Sequence, residues 1–208
     1  LIFLISITCT LFSKGTYIPK TFNATISLGH DSNPLRLSKN EIEELSDRPY
    51  LLGDASEVYS RFLGISGKFS FYSNKAILAR LFKRKTNFNL GYTYKHFTQN
   101  KEKNSTYISF KINQQLGNYR YLHINYSLMP GYYLRQYEDL DYIIATDDID
   151  NVSRYYSCTF DIEKLHIIYQ IPLSLKKNKV KIGGFYERQI FDPYFTEFDL
   201  NIAGQTLE

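Results

Sequence analysis

The amino-acid sequence predicts an all-β fold, an antiparallel up-and-down β-barrel, and three observations support this. Apolar and polar residues alternate with a period of two through most of the 208 residues, as in strands with one buried face. Short and long connections alternate between these segments along the chain. The composition, 43% hydrophobic and 22% charged with 19 Tyr and 15 Phe, excludes a disordered chain.

About eight strands can be recognised from the alternation. One face of each strand is apolar, and the other carries amides, hydroxyls and charges. The apolar positions of the clearest strands are Phe22, Ala24, Ile26 and Leu28; Phe88, Leu90, Tyr92 and Tyr94; Ile108, Phe110 and Ile112; Leu122, Ile124, Tyr126 and Leu128; Val180, Ile182 and Tyr186; and Phe198, Leu200 and Ile202. A longer and less regular strand segment runs from Arg61 to Phe82.

The alternation changes phase between residues 155 and 175. Tyr156, Cys158, Phe160 and Ile162 keep one parity, whereas the apolar residues from Leu165 onward keep the other. Either a bulge at residues 163–164 shifts the register of one long strand, or a tight turn there separates two strands. We expect the bulge, because it preserves the alternation of short and long connections.

Loop length and charge are sorted along the chain. The short connections are expected at residues 83–85, 116–118 and 176–179, and the long polar ones at 31–60, 98–105 and 135–152. Two of the short turns are basic, and the last long loop is acidic. Short turns on one side of a sheet and longer loops on the other are typical of transmembrane β-barrels.

One short helix is predicted inside the first long loop. Ser38 and Glu41 have the spacing of a capping box, in which each side chain accepts a hydrogen bond from the other residue's backbone amide. Ile42 and Leu45 then provide a short apolar edge. The spacing therefore predicts one or two helical turns.

The sequence favours a barrel in lipid over a soluble β protein. Tilted strands of about 9–11 residues span a bilayer, and they must close into a barrel because an open edge leaves unpaired amides in lipid. Aromatic residues cluster at strand ends beside the long loops, where an interfacial girdle belongs. A soluble secreted β-sandwich or lipocalin-like binding domain remains the alternative, because it would show the same alternation.

The N-terminal segment 1–15 predicts a partial signal peptide. Residues 1–12 are mostly apolar but too few to cross a bilayer as a helix, and Ser13 and Gly15 are small residues at a possible cleavage site. The alternative for this segment is an N-terminal strand. We expect residues 16–208 to form the barrel domain. No transmembrane helix is expected, since no stretch of about 18 apolar residues occurs.

The stretch 26–38, ISLGHDSNPLRLS, resembles the opening strand and loop of Gram-negative outer-membrane β-barrel proteins of the porin-like class. Several of these proteins carry a Gly-aromatic-Asp-x-Asn-Pro motif. In this chain His30 occupies the position of the aromatic residue. The resemblance implies an outer-membrane location after export, with membrane lipid as the partner, and it identifies no substrate. The terminal aromatic residue of such barrels is missing at Glu208, which predicts a chain truncated at its C-terminus.

The polar strand faces are the candidate functional surface. In a barrel they line the lumen, and their mixture of amides and charges suits passive passage or binding of small polar solutes. The lumen-facing candidates are Asn87, Asn89, Lys95, Tyr107, Ser109, Lys111, Asn113, His123, Asn125, Asp161, Lys181 and Glu187. The outer-loop candidates are Glu138, Asp139, Asp141, Asp147, Asp148 and Asp150. The alternative function is a structural or surface-interaction barrel that contacts a partner through loops 31–60 and 135–152.

No cofactor, metal site or nucleic-acid partner is expected. The net charge of +4 is mild, and the four histidines have no metal-ligand spacing. The acidic run 147–150 lacks the spacing and the turn glycine of an EF-hand loop. His123, Asn125 and Ser127 share one strand face, and these residue types resemble the Ser, His and amide partner of outer-membrane lipid hydrolases, but no oriented base or oxyanion hole is visible. We therefore expect no enzyme activity.

Overall fold

The computed structural model describes residues 3–11, 20–73, 85–139, 154–173 and 178–208. In these ranges nine strands form a single antiparallel sheet, and each strand pairs with its neighbours in sequence. The strands are β1 Phe3–Leu11, β2 Lys20–Asp31, β3 Ser60–Ser73, β4 Thr86–Phe97, β5 Ser105–Gly117, β6 Arg120–Glu138, β7 Tyr155–Pro172, β8 Lys179–Phe191 and β9 Leu200–Leu207. The predicted all-β, up-and-down order is confirmed. Among the described residues no pairing joins β1 to β9, so the sheet is open, which is consistent with an incomplete barrel.

Residues 3–11, which lie in the predicted signal segment, pair along their whole length with β2. This is the arrangement of the alternative, an N-terminal strand. Cleavage of the segment on export stays a prediction.

One face of the sheet is apolar. Residues opposed in an antiparallel pair point to the same side, so the register carries the alternation across the sheet. Ile124, for example, lies opposite both Ile112 and Ile167. We call this side the apolar face. Many of its large side chains are between 37% and 51% exposed, namely Phe22, Ile26, Leu28, Ile65, Leu90, Tyr92, Tyr126, Ile167, Ile182 and Tyr186.

The other side is the polar face. Its side chains are mostly amides, hydroxyls and charges, and they follow one another in rows across the strands. One such row runs from Asn23 on β2 through Lys68 and Gly91 to Ser109 on β5. The sequence alternation of β2 to β6 therefore translates directly into two faces of opposite polarity.

In the β6–β7 pair the bulges lie on β6 and not on β7. β7 is one strand and pairs with β8 from Phe160 to Pro172 without a register shift. The register shifts of the β6–β7 pair instead follow Met129 and Tyr133 on β6, where Gly131 has a φ of 56°. Gly131 tolerates this left-handed conformation because it has no Cβ. The predicted bulge at 163–164 is therefore wrong, although the single long strand is confirmed.

Without a bulge, the apolar residues of β7 change sides. Ile167 lies on the apolar face, whereas Phe160 lies on the polar face, opposite Tyr132 and Phe191. Between them Glu163 lies on the apolar face, where its Oε2 is 3.1 Å from Nη2 of Arg188 on β8. This ion pair marks the position along the strand at which the apolar side chains turn to the other face.

β9 also differs from the expectation. Leu200 and Ile202 lie opposite Gln189 and Glu187, so they point to the polar face. A 3₁₀-helix, Pro193–Phe198, precedes the strand. At its end Asp199 accepts a hydrogen bond from the Phe191 amide over 2.7 Å. This connection sets the register of the hairpin, and a register change of one residue exchanges the two faces of a strand.

The connections form two groups at opposite ends of the sheet. The described connections 32–59, 98–104 and 192–199 lie at one end, which we call the loop end, and the connection 118–119 lies at the other, the turn end. β6 ends and β7 begins at the loop end, whereas β1, β3 and β7 end at the turn end. The expected turn near 116–118 is a tight connection through Asn118 and Tyr119, and Tyr119 has a φ of 60°. Residues 83–84 and 176–177 of the other two short turns lie outside the described residues.

The first loop, residues 32–59, is folded back onto β6. Its helix α1, Lys39–Glu43, starts at Ser38 with both hydrogen bonds of the predicted capping box. Leu35, Leu37 and Leu51 form a buried cluster with Tyr133 of β6. Two further 3₁₀-helices, Pro49–Leu52 and Lys101–Lys103, lie at the same end. No helix among the described residues is long and apolar enough to cross a membrane.

Candidate functional site on the polar face

A cavity of about 480 Å³ opens on the polar face between β2 and β5. We call it the central cavity. Its wall consists mostly of uncharged hydrogen-bonding side chains and of two lysines, and the lining residues are Asn23, Thr25, Ser66, Gly67, Lys68, Asn89, Gly91, Tyr92, Thr93, Tyr107, Ser109 and Lys111. A pocket of this size is in the range that small organic ligands occupy.

Gly91 forms the floor of the central cavity. It lies between Lys68 and Ser109 in one cross-strand row. A Cβ atom at this position would be 2.5 Å from the Ser109 Oγ. Because Gly91 has no side chain, the cavity has space above it.

The central cavity carries positive charge without a compensating carboxylate among its lining residues. Lys68 and Lys111 are exposed on the polar face, and neither forms an ion pair with any part of the chain that the structure describes. Asn89, between them, accepts a hydrogen bond from the Ser70 hydroxyl through its Oδ1 over 2.7 Å. That bond leaves the Asn89 amide group free to donate into the cavity.

Two lysines on the other half of the polar face are paired with carboxylates. Lys164 Nζ lies 2.8 Å from Glu187 Oε2, and Lys181 contacts the Glu208 carboxylate. Lys164 and Lys181 therefore differ from Lys68 and Lys111, which have no carboxylate partner among the described residues.

A second cavity of about 360 Å³ lies nearer the turn end, and we call it the turn-end cavity. It is lined by Tyr72, Lys85, Asn87, Asn113, Gln115, Tyr121, His123 and Gln170. The Nδ1 of His123 lies 2.6 Å from Asn113 Oδ1. Because Asn87 and Asn89 are neighbours on one face of β4, the two cavities follow one another along the strands.

A network of cations and aromatic rings covers the loop end of the polar face. The Lys95 ammonium group lies 3.9 Å from the ring centre of Phe62 and 4.5 Å from that of Phe97. Lys103 is only 4% exposed, and its Nζ donates to the carbonyl oxygens of Tyr133 and Leu134 over 2.8 Å and 3.0 Å. Burial lowers the pKa of Lys103 to about 8.

The first loop is fixed to the same region. Arg135 Nη1 lies 2.6 Å from Glu41 Oε1, which holds α1 against β6. The backbone amide of Ser38 holds the pKa of the Glu41 carboxyl below its usual range, and Arg135 acts in the same direction. Asn33, in the motif at 29–34, bridges the loop by donating to the Leu37 carbonyl oxygen over 2.7 Å and accepting from the Leu37 amide.

The register brings eleven of the twelve predicted lumen-facing residues to the polar face. Asn89, Tyr107, Ser109 and Lys111 line the central cavity, and Asn87, Asn113 and His123 line the turn-end cavity. The other four on this face are Lys95, Asn125, Lys181 and Glu187. That this face lines a lumen stays a prediction.

Asp161 is the exception. It lies opposite Ile190, on the same side of β7 as Ile167 and therefore on the apolar face. Its Oδ1 accepts a hydrogen bond from the Gly131 amide over 2.7 Å. The predicted facing of Asp161 is wrong, because it depended on the bulge that β7 does not have.

Sequence reasoning missed the β2 and β3 side of the central cavity, above all Lys68. The polar positions Ser66, Lys68 and Ser70 alternate with Ile65 and Phe69. Gly67 lies on the apolar side between Ile65 and Phe69 and interrupts the row of apolar residues, which makes the alternation of this strand irregular. The alternation on both sides of Gly67 was the signal that could have placed Lys68 on the polar face.

Little of the predicted outer-loop set can be placed. Glu138 ends β6, and the Asp139 amide donates to the Arg154 carbonyl oxygen over 2.8 Å. Asp141, Asp147, Asp148 and Asp150 lie outside the described residues.

On the described polar face, His123 and Ser127 do not form a hydrogen-bonded catalytic pair. His123 and Ser127 are four positions apart on β6, which separates their Cα atoms by about 13 Å, beyond hydrogen-bonding reach. In the ranges that the structure covers, no group of three or more His, Cys, Asp or Glu side chains could hold a metal ion.

No protein family, curated protein or solved structure matches the chain.

Proposed function

We propose that the chain forms part of an outer-membrane β-barrel that passes or binds small polar solutes along its polar face. The observation that carries this proposal is the pairing of an exposed apolar face with a polar face that contains two consecutive cavities. In a membrane barrel the outward side is apolar and the inward side is polar.

The exposed apolar face supports a lipid environment. Side chains such as Leu90 and Ile182, which are 50% and 51% exposed, form part of a patch that runs across the sheet. Soluble monomers rarely expose so large a contiguous apolar surface. A β-sandwich would cover it with a second sheet, whereas all nine described strands belong to one sheet.

The open edges set a requirement for the proposal. In lipid, the amides of β1 and β9 must be paired, because each unpaired group costs several kcal/mol there. The proposal therefore requires that these edges meet each other or further strands.

The loop end favours a second candidate function, a surface-interaction barrel. At the loop end, ring stacking fixes two connections to β7, with 4.8 Å between the ring centres of Tyr50 and Tyr155 and 4.2 Å between those of Tyr156 and Tyr194. A fixed surface of this kind suits contact with a partner, since few groups need to be ordered on binding.

Three measurements on the purified chain test these proposals. The protein is folded into detergent micelles and run on a gel with and without boiling, and it is mixed with lipid vesicles for flotation. We expect a mobility shift on boiling and flotation with the vesicles. A compact chain that stays soluble without detergent would overturn the membrane proposal and favour a lipocalin-like or sandwich binder. Conductance steps in a planar bilayer would support solute passage over the surface-interaction function.

A further inference from the structure

We infer that the central cavity is an anion site, in which Lys68 and Lys111 together bind small solutes that carry a carboxylate or a phosphate. The inference rests on the proposed function, because it names the class of solute that the polar face handles.

The two lysines are placed to share one ligand. Lys68 on β3 lies opposite Gly91 on β4, and Lys111 on β5 lies opposite Asn89, two positions away along β4. Two strand spacings and two residue steps separate their Cα atoms by about 12 Å. Both flexible ammonium groups can therefore reach an anion that lies over Gly91.

The electrostatic environment favours an anion over a cation. The twelve residues that line the cavity include two lysines and no Asp or Glu. Positive groups in a concave site attract counter-ions more strongly than the same groups on a flat surface. Lys164 and Lys181, on the same face, are instead paired with Glu187 and Glu208.

The remaining donors match oxyanions. The Asn89 amide group is oriented by the Ser70 hydroxyl, which occupies its Oδ1. The hydroxyls of Thr93, Tyr107 and Ser109 line the same cavity. Carboxylates and phosphates accept several hydrogen bonds at once, and bonds from charged donors to such groups are the stronger ones.

The first experiment measures ion selectivity in planar bilayers under a KCl gradient. We expect the wild-type chain to prefer chloride, and we expect the double variant Lys68→Glu with Lys111→Glu to prefer potassium. The matched control is Lys39→Glu with Lys101→Glu, which makes the same change in net charge at exposed positions of the loop end. Unchanged selectivity in the first double variant, with conductance intact, would overturn the inference and leave the proposed function standing.

The second experiment does not require conductance. Inorganic phosphate is titrated by calorimetry into the wild type and both double variants, all folded in detergent and checked by heat-modifiability. We expect the Lys68/Lys111 variant to bind at least about tenfold more weakly, which corresponds to ~1.4 kcal/mol. The control should bind like the wild type. A wild type that folds but does not bind phosphate, or a loss of equal size in both variants, would overturn the inference.

Discussion

The Nζ of Lys103 donates a hydrogen bond to the backbone carbonyl oxygen of Tyr133 over 2.8 Å. This bond joins the connection between β4 and β5 to the bulged part of β6, where a regular ladder is interrupted. The bulge frees carbonyl groups, and a buried lysine supplies the donors that the neighbouring strand no longer provides.

Replacement of Lys103 should destabilise the loop end. In Lys103→Met the carbonyl oxygens of Tyr133 and Leu134 lose their donor, and we expect a cost of about 1–3 kcal/mol. Amide hydrogen exchange of residues 98–104, or urea unfolding in detergent, measures the change. Lys101→Met is the matched control, because Lys101 is exposed on the same 3₁₀-helix. Equal effects of the two substitutions would contradict the role assigned to Lys103.

The stability contributed by Lys103 should also depend on pH. Burial lowers its pKa to about 8, below its value of about 10.4 in an unfolded chain. Between these values the unfolded chain binds the proton more than the folded chain, so the free energy of unfolding rises as pH increases from about 8 to 10. Below that window the cost of burying the charge is constant. The difference in urea midpoint between wild type and Lys103→Met should therefore grow between pH 8 and 9.5 in favour of the wild type, and a flat difference would argue against it.

Glu41 should hold the first loop in place. It caps α1 and pairs with Arg135; Glu41→Gln keeps a capping side chain but removes the charge that pairs with Arg135, and should cost about 1 kcal/mol of loop stability. Because its folded pKa is lowered, this contribution is present at neutral pH and is lost as pH falls through the lowered pKa. Limited proteolysis within residues 32–59 reports the effect. Glu43→Gln, in an exposed pair with Lys39 at 3.8 Å, should change cleavage very little.

The two faces should respond differently to a new charge. Ile124→Arg places a cation on the apolar face, where a position near the bilayer midplane costs about 2–4 kcal/mol. Asn125→Arg places the same side chain on the polar face, opposite Lys111 and His166, and should cost less. Urea titration of folding into lipid vesicles compares the two variants. Similar costs would show that the faces are not exposed to lipid and water as we propose.

A side chain at Gly91 should narrow the path along the polar face. Gly91→Leu places its side chain in the central cavity and should lower conductance while the protein still folds. Gly184→Leu is the control on the apolar face, where an added Cβ lies at an ordinary 3.4 Å from its nearest neighbour. Bilayer conductance and heat-modifiability of both variants provide the readout. A conductance that falls equally in both would argue that the central cavity is not on the path.

The facing of β4, of β5 up to Gln115 and of β6 up to Leu128 could be predicted because the alternation keeps one phase over these residues. Around Phe88 and around Ile124, for example, every second residue is apolar and lies on the same face of the strand. The capping box at Ser38 and Glu41 was equally local, since both hydrogen bonds lie within four residues.

The facing of β7 and β9 could not be predicted from alternation alone. A change of phase has two physical explanations. Either the strand contains an extra residue, or its apolar side chains pack on one face of the sheet along one part of the strand and on the other face along the rest. On β7 the second applies, because Phe160 packs between Tyr132 and Phe191 at the loop end. On β9 the facing depends on the connection that ends at Asp199. Such contacts join a strand to other parts of the chain, so the alternation of residues within that strand cannot reveal them.

The pair formed by Glu163 and Arg188 has a consequence for how deeply the sheet would sit in a bilayer. On β7 the large apolar side chains beyond Glu163 toward the turn end lie on the apolar face, and those beyond it toward the loop end lie on the polar face. A shift of the sheet by one residue pair in one direction would bring both charges into the acyl chains, and a shift in the other would bring Leu165 and Ile167 into the headgroups or the water. If the sheet lies in a bilayer as we propose, the position of this ion pair along β7 would therefore limit how deeply the sheet can be immersed.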